Sequence, residues 1–194
     1  MAEPPSPGRP RDATVDEAIL RAATDLLAEG GVDAVSFTAV AERAGTTRPA
    51  LYRRYADRTE LAIAAIASMS ATTAPVPTGD FRADLIAELR SFEAGITALR
   101  GVGLAAMVLA DATAPAVKAA YRASVVTPRR KRIAAILRDA ARAGEVSASV
   151  GDQKVLVTMA TGSWYAFALA GTPPPRDWAI RTASLIWNAA GGRA

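Results

Sequence analysis

The stretch FTAVAERAGTTRPALYRRYADRTEL, residues 37–61, constrains this chain most, because it compresses three helix signals around a single glycine. Ser36 is placed to cap a short helix carrying Phe37, Val40 and Ala41, which ends near Ala44-Gly45. Thr47 is placed to cap the next helix at once, with Pro49 in its first turn, where a missing N–H costs little. Asp57, with Glu60 three residues on, opens a third. Two helices meeting at a steep angle across so short a turn need a residue that tolerates a left-handed backbone, and Gly45 supplies it. Ala41 keeps the first helix slim where the second crosses it, and Val40 and Leu51 can pack beneath both. The pattern is that of a helix-turn-helix.

The flanking sequence extends the same all-α reading. Residues 1–11 are Pro- and Gly-rich with little to bury, so a disordered basic arm is expected over 1–12. Thr14 and Glu17 form a capping-box pair, and Val15, Ile19, Ala22, Ala23, Leu26 and Leu27 recur on one face until Gly30-Gly31, which predicts a helix over 14–29. The helix opened by Asp57 should continue through Leu61, Ala65, Ile66 and Met69. Thr72 to Gly79, TTAPVPTG, reads as a boundary. Longer helices follow, marked by the stripe Phe81, Leu85, Leu89, Phe92 and Ile96 and by Leu104, Met107 and Val108. One helix should run from Pro115 to about Ala143, kinked or split by Pro128 and stopped by Gly144. The last two are expected at 152–170 and 176–190. No period-two alternation, internal repeat or heptad run is present. The expected organisation is a helix-turn-helix domain over 13–71 and a larger helical domain over 80–194.

Composition narrows the function. The 194 residues contain neither Cys nor His, which removes disulfides, thiolate metal sites, the commonest metal ligands and the usual general base. No metal, no cofactor and no enzymatic role is expected. No apolar run reaches the roughly 18–20 residues of a bilayer span, and the first residues lack the apolar core of a secretory signal, so a cytoplasmic protein is expected. The net charge is only +4, and residues 1–70 hold eight Arg against ten Asp or Glu. Between Arg43 and Arg58, however, five Arg face one Asp, a basic tip suited to a phosphate backbone.

Ala44-Gly45-Thr46-Thr47, Leu51-Tyr52, Tyr55 and Asp57-Arg58-Thr59-Glu60-Leu61 together make residues 14–70 resemble the DNA-binding domain of the TetR family. Thr46 stands where that family usually has an aliphatic residue, and Tyr55 and Arg58 where Phe and Lys are commoner. Beyond about residue 75 only the helical outline is similar. The resemblance implies a homodimer on double-stranded operator DNA, with C-terminal helices that dimerise and enclose a pocket for a small effector. Thr47, Arg48, Pro49 and Ala50 would form the first turn of the recognition helix. There Arg48 can pair with guanine and Pro49 or Ala50 can sense a thymine methyl. Tyr52 matches a family position whose hydroxyl meets phosphate. Arg53 and Arg54 are candidates for base or backbone contact, and Thr38 and Arg58 for phosphate clamps. Arg9 and Arg11 in the arm can enter a narrow minor groove.

In the second domain Phe92, Ile96, Met107, Tyr121, Val125 and Trp164 are the expected cavity lining, suited to an apolar or aromatic effector. Ala160, Gly162, Phe167 and Trp187 on the last two helices are the expected dimer face. Each of these residues also has a plainer reading, as a solvated charge or a core ring. The run Arg129-Arg130-Lys131-Arg132 reads foremost as an exposed face, with attraction to DNA or to an anionic effector as alternatives. The expected function is a repressor released from a palindromic operator by its effector. A transcriptional activator, and a helical ligand-binding or scaffolding protein without specific DNA binding, remain open.

Overall fold

The computed structural model describes residues 13–69, 74–98, 103–109 and 114–192. All regular structure among them is helical: α1 (Ala13–Ala34), α2 (Phe37–Arg43), α3 (Arg48–Tyr52), α4 (Arg58–Met69), α5 (Phe81–Ala98), α6 (Gly103–Leu109), α7 (Pro115–Tyr121), α8 (Thr127–Arg142), α9 (Val150–Leu169) and α10 (Trp178–Ala189). A π-helical turn, Arg122–Val126, joins α7 to α8.

The ends of these helices follow local chemistry. Backbone angles leave the helical region at Gly30 and Gly31, as the glycine pair predicts, but one further turn carries α1 to Ala34. Thr14 lies inside α1 rather than capping it, since the helix is already formed at Ala13. Ser36 Oγ accepts from the Ala39 N–H at 3.1 Å and caps α2. Gly45, with φ of +63°, turns the chain after α2, and the Thr46 N–H reaches back to the Ala41 carbonyl at 3.0 Å. Asp57 Oδ1 accepts from the Thr59 and Glu60 N–H groups at 2.8 Å, while Glu60 Oε2 accepts from the Ala56 N–H at 2.6 Å. The start of α4 is thus fastened from both sides.

Pro128 acts differently from a simple kink. It occupies the first turn of α8, directly after the π-turn, so the wider turn absorbs the strain a proline would impose on an unbroken helix. Before α5, the loop residues Thr78 and Gly79 donate to the buried carboxylate of Asp84, with Thr78 N and Oγ1 both at 2.8 Å from Oδ1. Burial pushes that carboxyl up, but these hydrogen bonds outweigh it and hold Asp84 below the usual carboxylate range.

Two apolar cores result. The first packs Ile19, Leu27, Val35, Val40, Leu51, Leu61 and Ile66 from α1–α4 together with Leu104 of α6 and Val117 and Tyr121 of α7. The second packs Leu85, Leu89, Phe92, Ile133, Leu137, Trp178, Ile186 and Trp187 from α5, α8 and α10 with one face of α9. Burying each large side chain contributes roughly 1.5–3 kcal/mol. The first core therefore extends past the linker, because α6 lies on α1 and α7 on α4. Gly103 makes the α6 contact possible: a Cβ there would stand 2.1 Å from the Ala28 carbonyl oxygen.

Candidate nucleic-acid interface and internal cavity

Leu51 is fully buried in α3 and Ala50 is nearly so, which turns the opposite face of the helix outward. That face carries Thr47, Arg48, Pro49, Tyr52 and Arg53, all exposed. Thr47 is the N-cap residue by backbone geometry, yet its side chain makes no capping hydrogen bond, which leaves the hydroxyl for another partner. Arg48 and Tyr52, one turn apart, lie side by side. The guanidinium carbon is 6.0 Å from the ring centroid and Nη2 is 3.5 Å from the hydroxyl. The Tyr52 ring in turn leans edge-on against Phe37 of α2, with centroids 4.6 Å apart. A tyrosine braced at its base and 56% exposed presents its hydroxyl to whatever docks on this face.

The flanking positions divide. Thr38 on α2 is exposed beside this face. Arg58 at the start of α4 is exposed and pairs loosely with Asp33 at 3.6 Å, so it is available to a phosphate. Two expected contacts are corrected. Ala50 lies on the inner side of α3, only 6% exposed, and so is not on the outward face that a base would meet. Arg54 turns inward, donating to Asp16 of α1 and, through Nη1 at 2.9 Å, to the Ala50 carbonyl. It fastens α3 to α1. Arg9 and Arg11 lie outside the described residues.

A cavity of about 780 Å³ lies where the two cores meet. Its wall takes Met69 from α4, Phe92 and Ile96 from α5, Leu104 from α6, Tyr121 from α7, Val125 from the π-turn and Tyr165 from α9. Of the expected lining, Phe92, Ile96, Tyr121 and Val125 are therefore in place. The side chain of Met107 lies outside the described residues. Trp164 is corrected: half-buried, it packs edge-on against Trp178 and Phe92 of the second core, at 5.0 and 6.1 Å between centroids. Its neighbour Tyr165 takes the cavity position instead, 5.8 Å from the Phe92 ring.

The basic run is also corrected. Arg129, Arg130 and Arg132 all border the cavity, because the π-turn rotates the start of α8 toward it. Arg132 donates to both carboxylate oxygens of Glu88, the Nη2–Oε2 distance being 3.2 Å. Arg129 lies over the Phe92 ring at 5.3 Å. The only signal for its role was its place directly after Pro128.

The expected dimer face splits in the same way. Ala160 and Trp187 are buried in the second core, because each faces the helices of its own chain. Phe167 packs partly against that core, while Gly162 has open space beside its Cα. The outward stripe of α9 is instead Val155, Met159, Gly162, Ala166 and Leu169, spaced alternately four and three residues apart. Leu185 of α10 is 70% exposed. Apolar residues thus occur on all sides of α9, although only one side is covered.

Comparisons with known proteins agree with this architecture. Residues 19–65 match the family of bacterial regulatory proteins called tetR, and residues 75–186 match the tetracyclin repressor-like C-terminal domain. The HTH-type transcriptional regulator YdeS of Bacillus subtilis (strain 168) is 27% identical over 183 residues, covering 94% of this chain and 91% of the relative. The tetracycline repressor class A from transposon 1721 of Escherichia coli is 37% identical over 86 residues, or 42% of this chain and 40% of the repressor. Among solved structures, the TetR family transcription regulator SCO0332 is 30% identical with a TM-score of 0.61, covering 93% of this chain and 98% of that one. A TetR regulator from Agrobacterium tumefaciens, 16% identical, shares the fold with a TM-score of 0.68 over 90% and 93% of the two chains. The outward face of α3, the two-core helical body and both family matches converge: the chain belongs to the TetR family of DNA-binding transcriptional regulators.

Proposed function

We propose that this regulator is a cytoplasmic repressor, acting as a homodimer on a pseudo-palindromic operator and released by a small apolar or aromatic effector. Residues 13–71 act as the DNA-binding unit, with 1–12 as a basic arm, and 80–194 bind the effector and dimerise. Thr47, Arg48, Pro49, Tyr52 and Arg53 read or grip DNA, with Thr38 and Arg58 as phosphate contacts and Arg9 and Arg11 in the minor groove. The observation that carries this reading is the outward cluster of Thr47, Arg48 and Tyr52 on a short helix whose other face is sealed into the core. The uncovered stripe of α9 and Leu185 supports pairing through a four-helix bundle. A twofold dimer would set the two recognition helices about 34–36 Å apart, in successive major grooves.

The cavity's position supports control by an effector. Its walls come from both cores, so a ligand filling it can shift α4, α6 and α7 against α5 and α8. An effector that binds the shifted state more tightly than the operator-bound one depletes the latter.

Selection of bound sequences from random duplex DNA, followed by gel shift at two salt concentrations, tests the reading. A palindromic site is expected, with affinity falling steeply with salt as phosphate neutralisation requires. Enrichment of no sequence, or a flat salt response, would refute it.

A further inference from the structure

We propose that the cavity takes a lipophilic monoanion, whose carboxylate pairs with Arg129 while Phe92, Ile96 and Val125 hold its apolar body. This assignment rests on the effector-binding reading above and narrows it to a chemical class.

Charge on the cavity wall carries the inference. Arg129, Arg130 and Arg132 border the space, and no Asp or Glu is among the described lining residues. The nearest carboxylate, Glu88, is buried and committed to Arg132 through both of its oxygens. Arg130 leans outward to Thr158, donating at 3.0 Å. Arg129 feels the Glu88 charge at a distance, but no ion pair engages it among the described residues, and its Nε is buried without a hydrogen-bond partner. An orphaned guanidinium N–H is costly in a low-dielectric wall, and a bidentate carboxylate satisfies it with two charge-assisted hydrogen bonds.

The surrounding groups favour the same occupant. Burial pushes the hydroxyls of Tyr121 and Tyr165 up, so they stay protonated and add no negative charge. Phe92 offers its ring face to Arg129, which leaves the guanidinium edge for a planar anion. The remaining wall includes Ile96, Leu104, Val125 and Val126, which can hold an alkyl chain or fused ring. The volume of about 780 Å³ falls within the range of cavities that enclose drug-sized ligands.

Matched acid and amide probes test this in the full chain: 2-naphthoate against 2-naphthamide, and decanoate against decanamide, by thermal shift and calorimetry. At least one acid is expected to bind about tenfold or more tightly than its amide. Arg129→Met should erase that preference, and Arg129→Lys should retain part of it. Removing an unpaired buried charge should leave the melting temperature of the free Arg129→Met protein equal to or above that of the parent, which shows that the variant folds. Equal binding of acid and amide, no binding of either acid up to about 1 mM, or an acid preference that survives in Arg129→Met overturns the proposal. Gel shift with the same probes separates it from the broader reading. Acids that bind without releasing operator refute control by this cavity while leaving its chemistry intact, and release by both members of a pair alike does the reverse.

Discussion

Replacing Glu88 by Gln should unsettle the cavity wall more than any other single-atom change. Its side chain is 3% exposed and accepts from Nε and Nη2 of Arg132, itself 34% exposed. Breaking a buried pair by removing one partner costs roughly 3–5 kcal/mol, and the partial exposure of Arg132 places this case near the lower end, at about 3 kcal/mol. With an unfolding entropy of about 2.1 cal/mol/K per residue, a chain of this length loses about 7 °C of melting temperature for that cost. Circular dichroism melts at fixed protein concentration measure it, the concentration being held because a dimer's melting point depends on it. Glu88→Gln combined with Arg132→Met should recover part of the loss, since no stranded cation then remains opposite the amide. The single variant also leaves Arg129 and Arg132 both without a carboxylate, so 2-naphthoate should bind it more tightly than the parent. A melting temperature within about 1 °C of the parent, or strictly additive losses in the double variant, would refute the reasoning.

Arg54→Ala should cost about 1.5–3 kcal/mol of stability by urea titration, through loss of its bonds to Asp16 and Ala50, and lower affinity equally for all DNA sequences. Arg48→Ala should leave stability within about 0.5 kcal/mol but cost about 1–3 kcal/mol of discrimination at one base position, read from competition gel shifts. Gly103→Ala should destabilise the chain by about 1–3 kcal/mol in urea titration, because the new Cβ meets the Ala28 backbone rather than a side chain that can swing away. Met159→Glu should give monomers in sedimentation, since it sets a charge in the middle of the exposed α9 stripe.

The DNA-facing half of the molecule was legible because its signals are local. Ser36, Gly45 and Asp57 act on backbone within five residues of themselves, so their roles follow from spacing alone. Adjacent arginines were the point of failure. Arg53 and Arg54 are chemically equivalent in sequence, and what separates them is Asp16, 38 residues earlier on a helix that happens to cross beneath Arg54. No local pattern encodes that crossing. The same holds for Ala50, whose burial depends on how deeply α3 sits on the core rather than on its own side chain.

The C-terminal half was read less well, for a related physical reason: its helices are apolar on more than one side. On α9, Trp164 and Ala160 serve the chain's own core, Tyr165 the cavity, and Met159 the outer surface, within seven consecutive residues. Periodicity assigns a face only when one face is polar. The basic run after Pro128 misled in the opposite direction, since consecutive charges normally mark a solvated surface. Here the π-turn inserts an extra residue per turn before α8, rotating Arg129 and Arg132 inward while Arg130 stays near the rim. A proline that demands a widened turn, followed at once by arginines, thereby turns a surface pattern into a cavity wall. The same widened turn packs against α4, which begins directly beyond α3. Under the proposed function, a group that draws Arg129 toward itself would pull on the segment that also braces α4, which would join charge neutralisation in the cavity to the placement of α3 through one stretch of backbone.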